Sequence, residues 1–265
     1  MQTTEDLALP CQPRVVALLM SELLSDTPNL RRVNQLFGCD PVLAARLLAL
    51  ANSPAFQMVG MVRGIPQAIA LLGVAQLRTL ASRSQKGMAV RVVPGMELGL
   101  FWHYSLMTAK LARSLAGMAH MDGSAAYAAG LLHSMGQLML HYTQSVATTP
   151  VDDAMGVWDP RRPRMEERHW GHCATHTTAA LLKQWRLPRE LVDSLQCMEN
   201  PLAFEQFEPL AGVLHLAVWR IRTQASQWGE RSTALSFPTE VGVALGLDMD
   251  VVLQQDTSSW AHSGF

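Results

Sequence analysis

Histidine is the residue type in this chain best placed to do chemistry. Nine are present, and His103, His133, His172 and His176 stand in suggestive surroundings. His172 and His176 are four apart, the spacing that puts two imidazoles on one face of a helix, as two metal ligands on a helix would be. A zinc-protease reading of that pair fails, because the required Glu after the first His is Cys173 here. Two histidines at this spacing are by default surface or capping residues. His133 lies in the nearly apolar run Leu131-Leu132-His133-Ser134-Met135-Gly136-Gln137. It is expected to be buried there, either as a core imidazole bonded to a backbone carbonyl or as the remnant of a metal site. His103, among Phe101, Trp102 and Tyr104, is read first as a packing residue.

The other reactive types say less. Cys11, Cys39, Cys173 and Cys197 are scattered and form no CxxC, so they read as buried free thiols of a reduced, cytoplasmic protein. Glu166 and Glu167 are adjacent, so on a helix they point about 100° apart and cannot face each other as an acid/base pair. With Arg161, Arg162, Arg164 and Arg168 nearby they read as a solvated charged face. No GxSxG elbow, GxxxxGK[ST] loop or GxGxxG turn is present.

The elements that would position these groups are helical throughout. Val15, Val16, Leu19 and Leu23 mark one face of a helix over 13–24, and a short helix over 30–37 ends near Gly38. Asp40 as N-cap with Pro41 at the first helical position starts a third helix, which Asn52-Ser53-Pro54 stops. Residues 65–72 and 74–82 form two helices broken at Gly73. Only 88–93 looks β-prone. A hinge carrying Pro94, Gly95 and Gly99 follows, and a subdomain boundary falls there. Helices are then expected over 101–118, 125–142 (capped by Asp122, with Gly130 and Gly136 allowing close packing), 172–185, 188–198 and 204–228. One or two short helices follow over 237–255. The stretch 143–164 is expected to be the longest irregular segment.

Composition narrows the class. The 265 residues are 49% apolar but only 16% charged, well below the ~25% charged fraction of an average domain. Such a chain can bury enough surface to fold as one large or two small domains. Its 21 basic and 22 acidic residues nearly cancel, so no strongly charged nucleic-acid-binding surface is indicated. No apolar run is long enough to cross a membrane, and the opening MQTTEDLALP has no signal-peptide character. Residues 30–50 have a helix-turn-helix outline, but the second helix is apolar and Arg46 is its only charge. A recognition helix must offer polar groups to base edges, which disfavours DNA binding.

Several segments match one family in order. Leu9-Pro10 to Pro13 with the helix ending Leu23-Leu24-Ser25-Asp26 resembles the opening of HDOD domains (HD-related output domains). Asp40 to Ser53, DPVLAARLLALANS, is similar to that family's DPxLxxRLLxLANS signature through Asp40, Pro41, Arg46, Asn52 and Ser53. Ile65 to Gly73 with Leu77-Arg78 resembles the next signature. Phe101 to Ser105 resembles FWxHS, Ala128 to Gln137 resembles AGLLHDIGK, and Thr178 to Pro188 resembles GAxLLxxWxLP. The resemblance covers residues 9–201, with sub-lobes of about 9–95 and 96–201. Residues 202–265 are expected to be a helical extension on the second lobe.

The resemblance implies an all-α, HD-like multi-helix fold with a smaller N-terminal and a larger C-terminal helical lobe. The HD phosphohydrolases use His and Asp to hold metals that activate water on a phosphoester. By that pattern His103 and His133 would survive as ligands, while the bridging carboxylate is Ser134 and the following Lys is Gln137. Ala174 takes a later His position, with His172 and His176 to either side, and Met198-Glu199 replaces a final His pair. A neutral Ser cannot bridge hard cations as Asp does. The expectation is therefore no enzyme, no catalytic or metal-ligating residue and no cofactor. The degenerate pocket would hold His103, His133, Ser134, Gln137, His172 and His176. The chain would act in the bacterial cytoplasm by binding a signalling protein, or a small ligand, at that pocket or in the groove between lobes. Homo-oligomer formation stays open and no membrane partner is expected. A hydrolase with a degenerate site and a DNA-binding regulator are the alternatives.

Overall fold

The computed structural model describes residues 8–156, 159–203 and 205–255. All the regular structure in this range is helical, apart from an isolated bridge between Val93 and Met96. That bridge is all that comes of the β-prone 88–93 stretch. The fold class is the all-α, HD-like bundle expected. No described helix is long and apolar enough to cross a membrane.

The N-terminal helices are α1 (Pro13–Leu24), α2 (Leu30–Gly38), α3 (Pro41–Ala51) and α4 (Ile65–Met88). The signature residues are structural ties between them. Asp40 is fully buried, and its Oδ1 accepts the Val42 and Leu43 N–H groups at 2.8 and 3.0 Å, capping α3. Its Oδ2 accepts the Gln12 N–H at 2.6 Å, so one carboxylate joins the starts of α1 and α3. Burial pushes the Asp40 pKa up, and these N–H bonds and Arg46 pull it back. Arg46 points its guanidinium at the Cys11 sulfur, 3.6 Å away. Asn52 donates to the Leu48 and Val62 carbonyls and accepts from the Met61 and Val62 N–H groups, all at 2.9–3.1 Å. It thereby pins the segment after Ser53 back onto α3. Helix α4 is two helical segments that meet at the expected break, Gly73. Its φ of 68° and ψ of 168° kink α4 there, a conformation that favours glycine.

The remaining helices build the cavity described below. They are α5 (Leu98–Met118), α6 (Gly123–Leu132), α7 (Met135–Ala154), α8 (Arg162–Trp170), α9 (Ala174–Gln184), α10 (Arg189–Cys197) and α11 (Pro209–Ala225). Three short helices close the chain: α12 (Glu230–Leu235), α13 (Thr239–Leu245) and α14 (Met249–Leu253). Several boundaries differ from expectation. The helix over 125–142 is two helices, because His133 and Ser134 break it between α6 and α7. Helix α7 breaks at Gln144 (φ −139°, ψ 41°), close to its expected end at 142, but the stretch 143–164 that follows is mostly helical: α7 resumes to Ala154 and α8 begins at Arg162. The helix expected from 172 starts at Ala174, and the one expected from 204 starts at Pro209, with Phe204 outside the described residues.

One cluster of buried apolar side chains runs through both halves of the chain, and the Tyr127 hydroxyl on α6 donates to the Gly38 carbonyl at 2.8 Å. Close helix contacts depend on glycine. A Cβ on Gly130 would sit 2.9 Å from Ala109 Cα on α5, and one on Gly136 would sit 2.1 Å from the Ala174 carbonyl. The second contact seats the start of α9 on the start of α7.

Candidate functional site

The break between α6 and α7 places His133 and Ser134 at the wall of a small cavity. Its lining also includes Tyr104 from α5, Gln137 from α7, Arg162 and Glu166 from α8, Ala174 and Thr175 from α9, Glu199 from the turn after α10 and Arg222 from α11. The cavity volume is about 20 Å³, room for about one water molecule.

His133 is 2% exposed. Its Nδ1 faces the Gly130 carbonyl at 2.7 Å and so carries the proton, which leaves Nε2 as a bare lone pair. Burial, with Arg222 nearby, drives its pKa down to about 3, so the ring is neutral at ordinary pH. Tyr104 packs edge-on against it, with ring centroids 4.7 Å apart. The Ser134 hydroxyl pairs with that of Ser105 at 2.7 Å. Thr178 donates its hydroxyl to the His133 carbonyl at 2.9 Å and accepts the Gly136 N–H at 2.8 Å, which locks the break against α9. Among the described residues, His133 Nε2 and Gln137 Nε2 are buried without a hydrogen-bond partner. One is an acceptor and the other a donor, the complement of a single water.

Charge enters from α8 and α11. The Arg162 side chain is 3% exposed and bonds Glu166 at 2.8 Å, Asp152 at 2.6 Å and the Met155 carbonyl at 2.9 Å. The second Glu166 oxygen accepts the Ala174 N–H at 2.8 Å. Asp152 also meets His141 Nε2 at 3.1 Å. The Arg222 side chain, 12% exposed, donates to the Tyr104 hydroxyl at 3.0 Å and lies 4.0 Å from Glu199. Burial opposes the Arg222 charge, yet Tyr104, Glu199 and Glu166 outweigh it and raise its pKa. Burial likewise raises the Tyr104 pKa, against the pull of Arg222.

His133, Ser134, Gln137 and Ala174 therefore converge as the resemblance implied, and Glu199 joins them from the position where a His pair would stand. Three expected pocket residues do not. His103 is exposed, and Tyr104 one position on faces the cavity instead. His172 precedes α9, is exposed and turns its Nδ1 to the Trp170 carbonyl at 3.1 Å. His176 is half-buried on α9 but does not line the cavity. The reading of Arg162 and Glu166 as a solvated face is also corrected, since both are buried.

The metal that HD relatives hold does not fit these residues. His133 offers one lone pair, but Ser134 is neutral and bonded to Ser105, and Glu166 is committed to Arg162. Two guanidinium groups already supply the positive charge facing the carboxylates. A divalent cation here would meet like charge.

These helices and this cavity define an HD-like all-α domain whose charge balance is internal. The HDOD domain family profile matches residues 9–201, and the chain belongs to that family. No curated protein matches it in sequence. Among solved structures it is similar to the MmoQ response regulator of Methylococcus capsulatus, with 23% identity and a TM-score of 0.73 over 93% of this chain and 98% of that one. It is also similar to a Campylobacter jejuni virulence factor, with 18% identity and a TM-score of 0.63 over 92% of this chain and 94% of that one. An HDOD domain protein of unknown function from Geobacter sulfurreducens shares 21% identity and a TM-score of 0.55 over 96% of this chain and 90% of that one. At these identities the likeness shows the fold alone.

Proposed function

We propose that this chain is a non-catalytic signalling module that works by contact with another protein. The observation that carries this reading is the state of the cavity. The Arg162–Glu166 and Arg222–Glu199 pairs, a neutral His133 and a Ser at 134 stand where the enzymes of the wider fold would hold metal. A space of about 20 Å³ matches about one water molecule rather than an enclosed phosphoester or nucleotide. Membership of a family of output domains, and the description of the similar Methylococcus protein as a response regulator, support a place in signal transduction. With its charges satisfied internally, the C-terminal half offers its surface rather than its interior to a partner.

The test is turnover of a phosphoester panel by purified protein with Mn²⁺, Mg²⁺ or Fe²⁺ added, with His133→Ala as the control. No turnover is expected. Turnover abolished by His133→Ala would overturn the reading in favour of a hydrolase. Affinity capture from native extract, repeated with purified candidates, then identifies the partner. A sequence-preferring, salt-dependent complex with DNA that is lost in Arg46→Ala would favour the regulator reading instead.

A further inference from the structure

The turn between α8 and α9 gathers three metal-capable side chains outside the cavity. Helix α8 ends at Trp170, and Gly171 follows in the left-handed region with φ 78° and ψ 0°. Its N–H bonds the Glu167 carbonyl at 2.9 Å, closing the helix. The chain then reverses, which sets Cys173 at the N-cap of α9 and His176 in the first turn, beside Glu167 on the last turn of α8. A Glu167 carboxylate oxygen, the Cys173 sulfur and a His176 ring nitrogen lie within 4.8 Å of one another. Cys173 is 1% exposed, His176 is half-buried and Glu167 is exposed, so the sulfur forms the floor and the carboxylate the rim.

We propose that Glu167, Cys173 and His176 form a binding site for a thiophilic divalent cation of the zinc class. Thiolate and imidazole together select such ions over Mg²⁺ or Ca²⁺. Three protein ligands leave a fourth tetrahedral position to solvent or to an incoming group. Bonds of ~2.0–2.3 Å give ligand-to-ligand edges of roughly 3.3–3.8 Å. The triad therefore has to close by about 1 Å, which side-chain rotation of Glu167 and His176 supplies. Among the described residues, neither of those side chains is held by a hydrogen bond or ion pair that would oppose the movement.

Binding breaks the Cys173 S–H bond, forms the sulfur–metal bond and sends the proton to solvent. The Thr175 hydroxyl lies 2.9 Å from the Cys173 sulfur and 3.4 Å from a Glu199 oxygen. It has one hydrogen to donate, and a metal-bound thiolate takes it from Glu199. Thr175 lines the cavity, so an ion at the triad changes the wall beside Arg222 without entering the cavity.

The experiment is a titration of the intact, metal-free chain with Co²⁺, read by thiolate-to-cobalt charge-transfer absorption and by displacement with Zn²⁺. One equivalent of Co²⁺ should give the band. Cys173→Ser should abolish it, whereas Cys39→Ser and Cys197→Ser should leave it intact. His176→Ala should weaken binding by about tenfold or more, with Glu167→Gln acting in the same direction. Circular dichroism checks folding, and the exposure of Glu167 and His176 keeps those two variants informative if Cys173→Ser does not fold. Absence of the band, a band that survives Cys173→Ser, or unchanged affinity in His176→Ala overturns the proposal. None of these results depends on the absence of hydrolysis at the cavity.

Discussion

His133 makes the stability of this protein sensitive to acid in a way that one substitution should remove. The ring is 2% exposed, and burial with the nearby Arg222 charge lowers its pKa from 6.5 to about 3. In the unfolded chain the imidazole gains its proton near pH 6.5, whereas the folded chain refuses it down to about pH 3. The folded state therefore has its full stability above pH 6.5 and loses it as the pH falls toward 3. A single proton changes stability by about 1.4 kcal/mol per pH unit, so His133 alone accounts for roughly 2 kcal/mol between pH 6.5 and 5. His133→Asn keeps an N–H that can reach the Gly130 carbonyl but carries no titrating group. Urea unfolding of both proteins at pH 7, 6 and 5 should show the wild type losing about 2 kcal/mol more than the variant. The difference between the two slopes cancels the other acid-sensitive groups, including His215, whose pKa burial also lowers. Equal slopes, or an NMR midpoint for His133 near that of a free imidazole, would refute the buried, neutral ring.

Other perturbations follow from the same contacts. Arg162→Met should cost ~3–5 kcal/mol because it strands the Glu166 carboxylate, and adding Glu166→Leu should recover much of the loss in a double-mutant cycle. Asn52→Ala removes a side chain that makes its hydrogen bonds in a buried site, and should lower stability by roughly 2–3 kcal/mol in chemical unfolding. Gly136→Ala puts a methyl 2.1 Å from the Ala174 carbonyl, so α9 must shift and Tm should fall, with a cost of about 1–3 kcal/mol.

Locally encoded features were legible in the sequence. Asp40-Pro41 is a helix start by its own chemistry, and Asp40 does cap α3. The tight packing at Gly130 and Gly136 followed from the absence of a side chain. The α-helical class was carried by periodicity over most of the chain. The site was legible only in part, because its charges meet across long separations. Arg162 and Glu166 looked solvated beside Arg161 and Arg164, and nothing local shows that Asp152, Met155 and the start of α9 enclose them. Arg222 lies beyond the last recognisable motif, although a basic residue within the apolar helix α11 was a usable signal. His103 was misplaced by one position. The buried residues Phe101, Tyr104, Ser105 and Thr108 follow a helical period that turns Tyr104 inward and His103 outward. The spacing of His172 and His176 suggests one shared helix, but Cys173 caps α9 and leaves His172 outside it.

On the proposed reading, the paired charges of its own wall satisfy this cavity and no chemistry takes place in it. Phosphoester turnover with added divalent metal, compared between wild type and His133→Ala, tests it most directly. Background rates are expected in both proteins, even if Co²⁺ or Zn²⁺ binds at Cys173. Turnover in the wild type that disappears in His133→Ala would contradict it.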